Sequence, residues 1–295
     1  MEAAMTILES ILLGMVQGIT EFLPVSSSGH LAILENIFRV ETNDSMLFDI
    51  MLHLGTLVAI FVVYHKDIGK MIREALLMCA DIGSNLKTFL LNKIHKTSLK
   101  YKKIVQNSYR KFVVLVLVST IPTGLIGVIG KDLVSAAGGT LLIPGICLWI
   151  TGVLLLMADL AKEGRDLPKD VSYKKGLIIG AVQGAAPLPG ISRSGATITA
   201  CILCGLDRKF AVKYSFILSI PAVLGAAVLE IADVIAEPIE LAQVGIYAVG
   251  MVVSGLVGYV CIKTMLVVVR NKKFKYFSWY CFAAGAVAVA GHFLL

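Results

Sequence analysis

Six stretches of this chain are long and nearly uncharged: Met46–Tyr64, Phe112–Gly130, Leu141–Leu160, Tyr214–Ile235, Val244–Leu266 and Phe277–Leu295. Each reaches the roughly 18 apolar residues that a helix needs to cross a bilayer. In hydrocarbon the backbone must satisfy its own N–H and C=O groups, so stretches of this kind fold as helices. Of the 295 residues 57% are hydrophobic and 16% charged, whereas about a quarter of a soluble domain is charged. The expected fold is an all-α, polytopic membrane protein.

The formal net charge of +7 could suggest a nucleic-acid partner, but its distribution argues against one. Of the 27 Lys and Arg residues, 11 lie in 65–111, 5 in 161–175, 3 in 207–213 and 4 in 270–275. With six crossings these four segments share one side, while 39–45, 131–140 and 232–243 on the other side hold 2. This is the positive-inside bias. It makes the basic segments cytoplasmic, including a long loop 65–111, and places both termini outside. Anionic lipid heads are a further partner such a loop could touch, although a solvated loop that fixes topology is the simpler reading. Glu2 and Glu9 with no early Lys or Arg do not resemble the charged start of a cleaved signal peptide. The six cysteines are scattered and read as free thiols; Cys201 and Cys204 have C-x-x-C spacing but no βαβ context for redox chemistry.

The chain repeats itself. Residues 14–30 align with 180–196 at a constant offset of 166, and Gly14, Val16, Gln17, Gly18, Ser26, Ser28 and Gly29 recur as Gly180, Val182, Gln183, Gly184, Ser192, Ser194 and Gly195. Three apolar spans follow each copy. Three is odd, so the second copy is inserted upside down relative to the first, which makes an inverted-topology repeat. The expected units are a first repeat within 1–160 and a second within 176–295. Each begins with a broken segment, 7–39 or 177–206, whose arms are too short to cross twice. These segments are expected to be re-entrant helical hairpins, the first dipping from outside and the second from the cytoplasm, in addition to the six transmembrane helices. The Gly-x-x-x-Gly of each first arm reads as close helix packing.

Pro24 ends one arm, and Ser26, a preferred N-cap type, starts the next; Pro189, Gly190 and Ser192 repeat the pattern. Two helix N-termini should therefore aim unpaired N–H groups at the protein centre, which suits an anion. Ser26, Ser28, Ser192 and Ser194 add donors, and Arg193 adds a planar cation fitted to phosphate. An Arg at that depth is expensive and usually functional. Gln17 and Glu21 are four apart on one face, and Ser27 and His30 are three apart on the first turn of the second arm. A carboxylate, a hydroxyl and an imidazole should thus converge on the phosphate. The second copy has Pro187 and Ala196 where the first has Glu21 and His30, so the catalytic groups sit in one copy and the charge clamp in the other. Asp49 and His53 form another i, i+4 pair, evenly balanced between polar lining and support.

These motifs resemble those of the undecaprenyl-diphosphate phosphatase family, the bacterial bacitracin-resistance proteins. Gln17, Glu21 and Pro24–His30 match its first motif. Pro189, Gly190, Ser192, Arg193, Ser194 and Thr197 match its second, which adds Thr197 to the phosphate-binding set. The resemblance covers the whole chain in length and span order. It implies an inner-membrane enzyme that hydrolyses undecaprenyl diphosphate to the monophosphate with a divalent cation, its site opening to the periplasmic face. Gln17 stands where many members carry glutamate, which weakens any metal charge from that position.

Two functions of different class fit. In the first, a membrane phosphatase, Arg193, Ser192, Ser194 and the helix N-termini hold the diphosphate. Glu21 with Gln17 positions Mg²⁺ or Ca²⁺, and His30 is general acid or base. Ser27 either attacks phosphorus or orients a water; the residues alone leave both open. In the second, a prenyl-phosphate transporter or flippase, the inverted repeat carries the lipid. A carrier needs only binding groups, so the Glu21, Ser27 and His30 set in one repeat favours the enzyme.

Overall fold

A computed structural model of the protein describes residues 5–38, 45–138, 140–234 and 241–294. Among them the chain is helical and contains no strand: α1 (Ile7–Phe22), α2 (Ser27–Phe38), α3 (Ser45–Val63), α4 (His65–His95), α5 (Ser108–Ile129), α6 (Lys131–Gly138), α7 (Leu142–Leu160), α8 (Tyr173–Ala185), α9 (Arg193–Leu203), α10 (Arg208–Val234), α11 (Leu241–Arg270) and α12 (Phe274–Leu294). Local chemistry sets several of the starts. Thr6 and Glu9 form a reciprocal capping box at α1, and Asn107 and Ser172 cap α5 and α8 through their side chains.

Among the described residues, five helices are long and apolar enough to cross a membrane: Met46–Val63, Ser108–Ile129, Leu142–Leu160, Arg208–Leu229 and Gln243–Arg270. Large apolar side chains stand exposed along them at helical spacing, such as Leu117, Ile121, Leu125 and Val128 of α5. In water such stripes would be unfavourable, but in a bilayer they face lipid. The chain is a multi-pass α-helical membrane protein. The sixth expected span, Phe277–Leu295, runs through α12 and ends outside the described residues, as do parts of the connections 39–45, 131–140 and 232–243. Within 65–111, expected as a loop, residues 65–95 form the 31-residue helix α4.

Lipid supplies no hydrophobic drive between helices, so association rests on close packing and interhelical hydrogen bonds. The glycines of the two first arms serve this packing. A Cβ on Gly14 would stand 2.6 Å from the Gly250 carbonyl oxygen and one on Gly18 2.7 Å from that of Ser254, so α1 presses backbone to backbone on α11. Likewise a Cβ on Gly180 would stand 2.0 Å from the Ser119 carbonyl oxygen and one on Gly184 2.8 Å from Ile126, so α8 presses on α5. Hydrogen bonds tie the same faces: Ser10 Oγ donates to the Ile246 carbonyl at 2.7 Å, and Ser119 Oγ to that of Gly176 at 2.7 Å. Each first arm thus packs on a long helix from the other half of the chain. The shared core surrounds α10, where Tyr214, Phe216 and Leu218 meet Leu115, Leu148, Leu155 and Ile198.

Candidate active site

The first arm stops because Pro24 cannot continue it; Leu23 is already extended at φ −75°, ψ 143°. Ser26 then takes a φ of +72°, a left-handed conformation that a serine rarely adopts. That turn lets its Oγ cap α2 by accepting from the Gly29 N–H at 3.3 Å. In the second hairpin Gly190 makes the turn at φ +92°, and Ser192 Oγ caps α9 by accepting from the Gly195 N–H at 3.0 Å. Thr151 braces this tip, donating to the Gly190 carbonyl and accepting from the Ser192 N–H, both at 3.0 Å. The two tips meet reciprocally. A Cβ on Gly29 would lie 3.3 Å from Gly190 Cα and one on Gly195 3.2 Å from Pro24 Cβ, and Gly190 and Pro24 are themselves separated by the repeat offset.

Glu21 sits at this junction, 6% exposed. A carboxylate so buried needs ionic or hydrogen-bonded partners. Arg193 Nη2 donates to one oxygen; Ser27 Oγ donates to the other at 2.7 Å, and Gln17 Nε2 to the same oxygen at 3.2 Å. His53 Nε2 stands 3.9 Å from that oxygen. The His53 ring is oriented by its Nδ1–H, which donates to the Asp49 carbonyl at 2.8 Å because a carbonyl can only accept. His30 is held in the same way, its Nδ1–H donating to the Ser26 carbonyl at 2.7 Å, and its Nε2 pairs with the Tyr280 hydroxyl at 2.6 Å. Its ring stacks on that of Tyr280 and lines a mostly apolar cavity of about 290 Å³ with Val16, Ile19, Thr20 and Leu34.

The remaining expected residues divide into two groups. Ser26 and Ser192 use Oγ in capping, with Ser28 Oγ 3.4 Å from the first and Ser194 Oγ 3.3 Å from the second. Thr197 directs its hydroxyl to the Arg193 carbonyl at 2.8 Å and pairs with Ser215, which anchors the turn that carries Arg193. Among the described residues, neither Arg193 Nη1, a buried donor, nor Gln17 Oε1, a buried acceptor, finds a hydrogen-bond partner. The donor suits an anionic oxygen and the acceptor suits a cation. Among the described residues no three His, Cys, Asp or Glu side chains converge to hold a metal by themselves. Gln17 Oε1 is free, and the Glu21 carboxylate beside it already accepts from Arg193, Ser27 and Gln17 on its two oxygens; such a set would suit an ion completed by substrate phosphate rather than a cage made only of protein.

The family model described as bacitracin resistance protein BacA matches residues 10–287. The chain belongs to this family. Curated relatives agree along their whole length. An undecaprenyl-diphosphatase of Alkaliphilus metalliredigens is 39% identical over 287 residues, covering 97% of this chain and 98% of the relative. One of Methanosphaera stadtmanae is 38% identical over 283 residues, covering 96% and 97%. Undecaprenyl-diphosphatase 4 of Bacillus thuringiensis is 33% identical over 282 residues, covering 96% of each. Apart from residues 7–9 of α1, both hairpins of this BacA-family chain lie inside the matched region.

Three neighbours of the site carried weak or no sequence signal. His53 had only its spacing from Asp49, and Thr151 is one threonine in an apolar span. Tyr280 reaches His30 from 250 residues away.

Proposed function

We propose that this BacA-family chain hydrolyses undecaprenyl diphosphate to undecaprenyl phosphate and inorganic phosphate at the junction of the two hairpins. The observation that carries the reading is the buried Glu21 carboxylate, shared between Arg193 of one repeat and the Ser27 hydroxyl of the other. The names of full-length relatives support the substrate. The free Nη1 of Arg193 binds a phosphate oxygen, beside the positive ends of α2 and α9. Glu21 and Gln17 hold a divalent cation, Mg²⁺ or Ca²⁺, which when bound neutralises phosphate charge.

Ser27 Oγ attacks the terminal phosphorus and gives its proton to Glu21. The bond from phosphorus to the bridging oxygen breaks, and undecaprenyl phosphate leaves. Water then cleaves the phosphoserine, releasing phosphate and regenerating Ser27. His30 supplies acid–base function at the mouth of the apolar cavity, where the prenyl chain enters. In a second route Ser27 only orients the attacking water. A flippase reading is less favoured, because transport gives no role to a carboxylate hydrogen-bonded to a serine hydroxyl.

The membrane arrangement follows the charge bias. The protein lies in the inner membrane with six crossings, α12 the sixth. Its units within 1–160 and 176–295 are inverted repeats, each opened by a re-entrant hairpin. The reciprocal packing of α1 on α11 and α8 on α5 supports this pairing. Both termini and the first hairpin face the periplasm. The test is phosphate release by purified protein given undecaprenyl diphosphate in detergent with Mg²⁺ or Ca²⁺. Wild type should turn over, and Glu21→Gln, which can neither take the Ser27 proton nor supply ligand charge, should not at any cation concentration. Wild-type inactivity across both metals would overturn the reading.

A further inference from the structure

Helix α4 starts two residues after the span Met46–Val63, and the chain re-enters a span at Ser108, so α4 is tethered at a membrane boundary by both neighbours. Its two faces differ in how they are satisfied. On one, Asp67 accepts from Tyr109 and Lys213, Glu74 and Asp81 accept from Arg110, and Asn85 and Asn92 bond the backbone of Lys102 and Leu99. These positions are spaced seven, seven, four and seven residues apart, which keeps them on one helix face, and they lock the roll of the helix.

The other face has no such cover. Ile72, Leu76, Leu86, Phe89, Leu90 and Ile94 are each between 47% and 68% exposed. Lys66, Lys70, Arg73, Lys87 and Lys93 are exposed beside them. All three acids of the helix are already paired, so no carboxylate of the helix neutralises these cations, although Lys70 and Lys93 lie over the Tyr109 and Phe89 rings. An apolar stripe edged with Lys and Arg is the pattern of a helix lying in the bilayer interface. Water would leave the stripe hydrated, and a second copy of this face would set like charges against like. Acidic headgroups match the charge, and acyl chains match the stripe.

We propose that α4 lies on the membrane surface, its leucine and isoleucine side chains at the acyl boundary and its lysines on anionic headgroups. This is independent of the phosphatase chemistry. Cys79 provides a native probe. It is exposed and lies three residues after Leu76 and seven before Leu86, on the same face, while four of the other five cysteines are buried.

The full chain carrying Cys204→Ser is labelled at Cys79 with bimane in detergent and reconstituted into phosphatidylglycerol–phosphatidylcholine vesicles. Brominated acyl chains should quench the label at least about twofold more than aqueous iodide does. That preference should reverse in pure phosphatidylcholine, or when the five cations are changed to glutamine. Iodide quenching without bromine quenching would overturn the proposal in favour of a solvated helix. Protection from both quenchers would overturn it in favour of contact with a second copy. Bromine quenching that ignores headgroup charge would overturn the electrostatic part. Phosphate release from the same vesicles reports that the protein remains folded.

Discussion

Glu21 and Arg193, 172 residues apart, form a part-buried ion pair in which one oxygen of the buried carboxylate takes the guanidinium while the other accepts from Ser27 at 2.7 Å. Neither half of the chain can make this arrangement alone. The N-terminal half brings the acid and the hydroxyl, the C-terminal half brings the cation, and the meeting of Gly29 with Gly190 lets the two tips come close enough.

Arg193 should tolerate no substitution. Arg193→Lys keeps the charge but loses the fork that reaches Glu21 with Nη2 and leaves Nη1 for phosphate, so most turnover should go. Arg193→Ala removes the partner of a buried carboxylate, a loss of about 3–5 kcal/mol, and should abolish turnover while the protein still inserts. Steady-state phosphate release and membrane yield check both. A near-normal Lys variant would make Arg193 a packing residue.

Ser27→Ala separates the two hydrolytic routes. If Ser27 is the nucleophile, the variant has no turnover and acid-quenched wild type carries phosphoserine at Ser27, detectable by mass spectrometry. Residual turnover without a trapped adduct would assign the attack to water.

The two histidines can be told apart by pH–rate profiles. His30→Ala should lower kcat by about 10² to 10⁴ and flatten the profile near neutrality, as expected when a general acid or base is removed. Tyr280→Phe, which deletes the partner of His30 Nε2, should shift that limb while preserving the fold. If the limb instead disappears in His53→Gln, the acid–base role belongs to the imidazole 3.9 Å from Glu21.

Gly190 should be intolerant of alanine. Its φ of +92° is strained for any side chain, and a Cβ would stand 2.2 Å from the Pro144 carbonyl oxygen. The backbone conformation alone should cost about 1–3 kcal/mol. Gly69 in α4 has nothing within 4 Å, so Gly69→Ala should be neutral or stabilise by up to about 1 kcal/mol. Thermal unfolding in detergent should lower Tm for the first and not for the second.

Hydrogen bonds from Arg110 hold the Glu74 and Asp81 carboxyls below the usual carboxylate range. A lowered folded value means the stabilisation is complete above the ordinary carboxylate pKa and is lost as pH falls through the depressed one. Attachment of α4 to α5 should therefore weaken as pH falls below the ordinary carboxylate range. Arg110→Gln should loosen it already at pH 7. Hydrogen exchange across 65–95 reads both.

Much of this protein is legible in its sequence, because a bilayer permits few solutions. Uncharged runs must become helices, and a repeated Gly-x-x-x-Gly means close packing, as Gly14 and Gly180 do on α11 and α5. Pro24, Ser26, Pro189 and Ser192 announced two broken helices with capped starts, since proline and N-cap chemistry act within one turn. What only the tertiary structure decided are relations with no sequence period. These include which oxygen of Glu21 meets Arg193, that His30 turns to Tyr280 while His53 lies near the carboxylate, and that residues 65–95 are one helix with an unpaired apolar face. Local propensity acts over a few residues, whereas those placements depend on contacts 32 to 250 positions apart, which folding alone brings together.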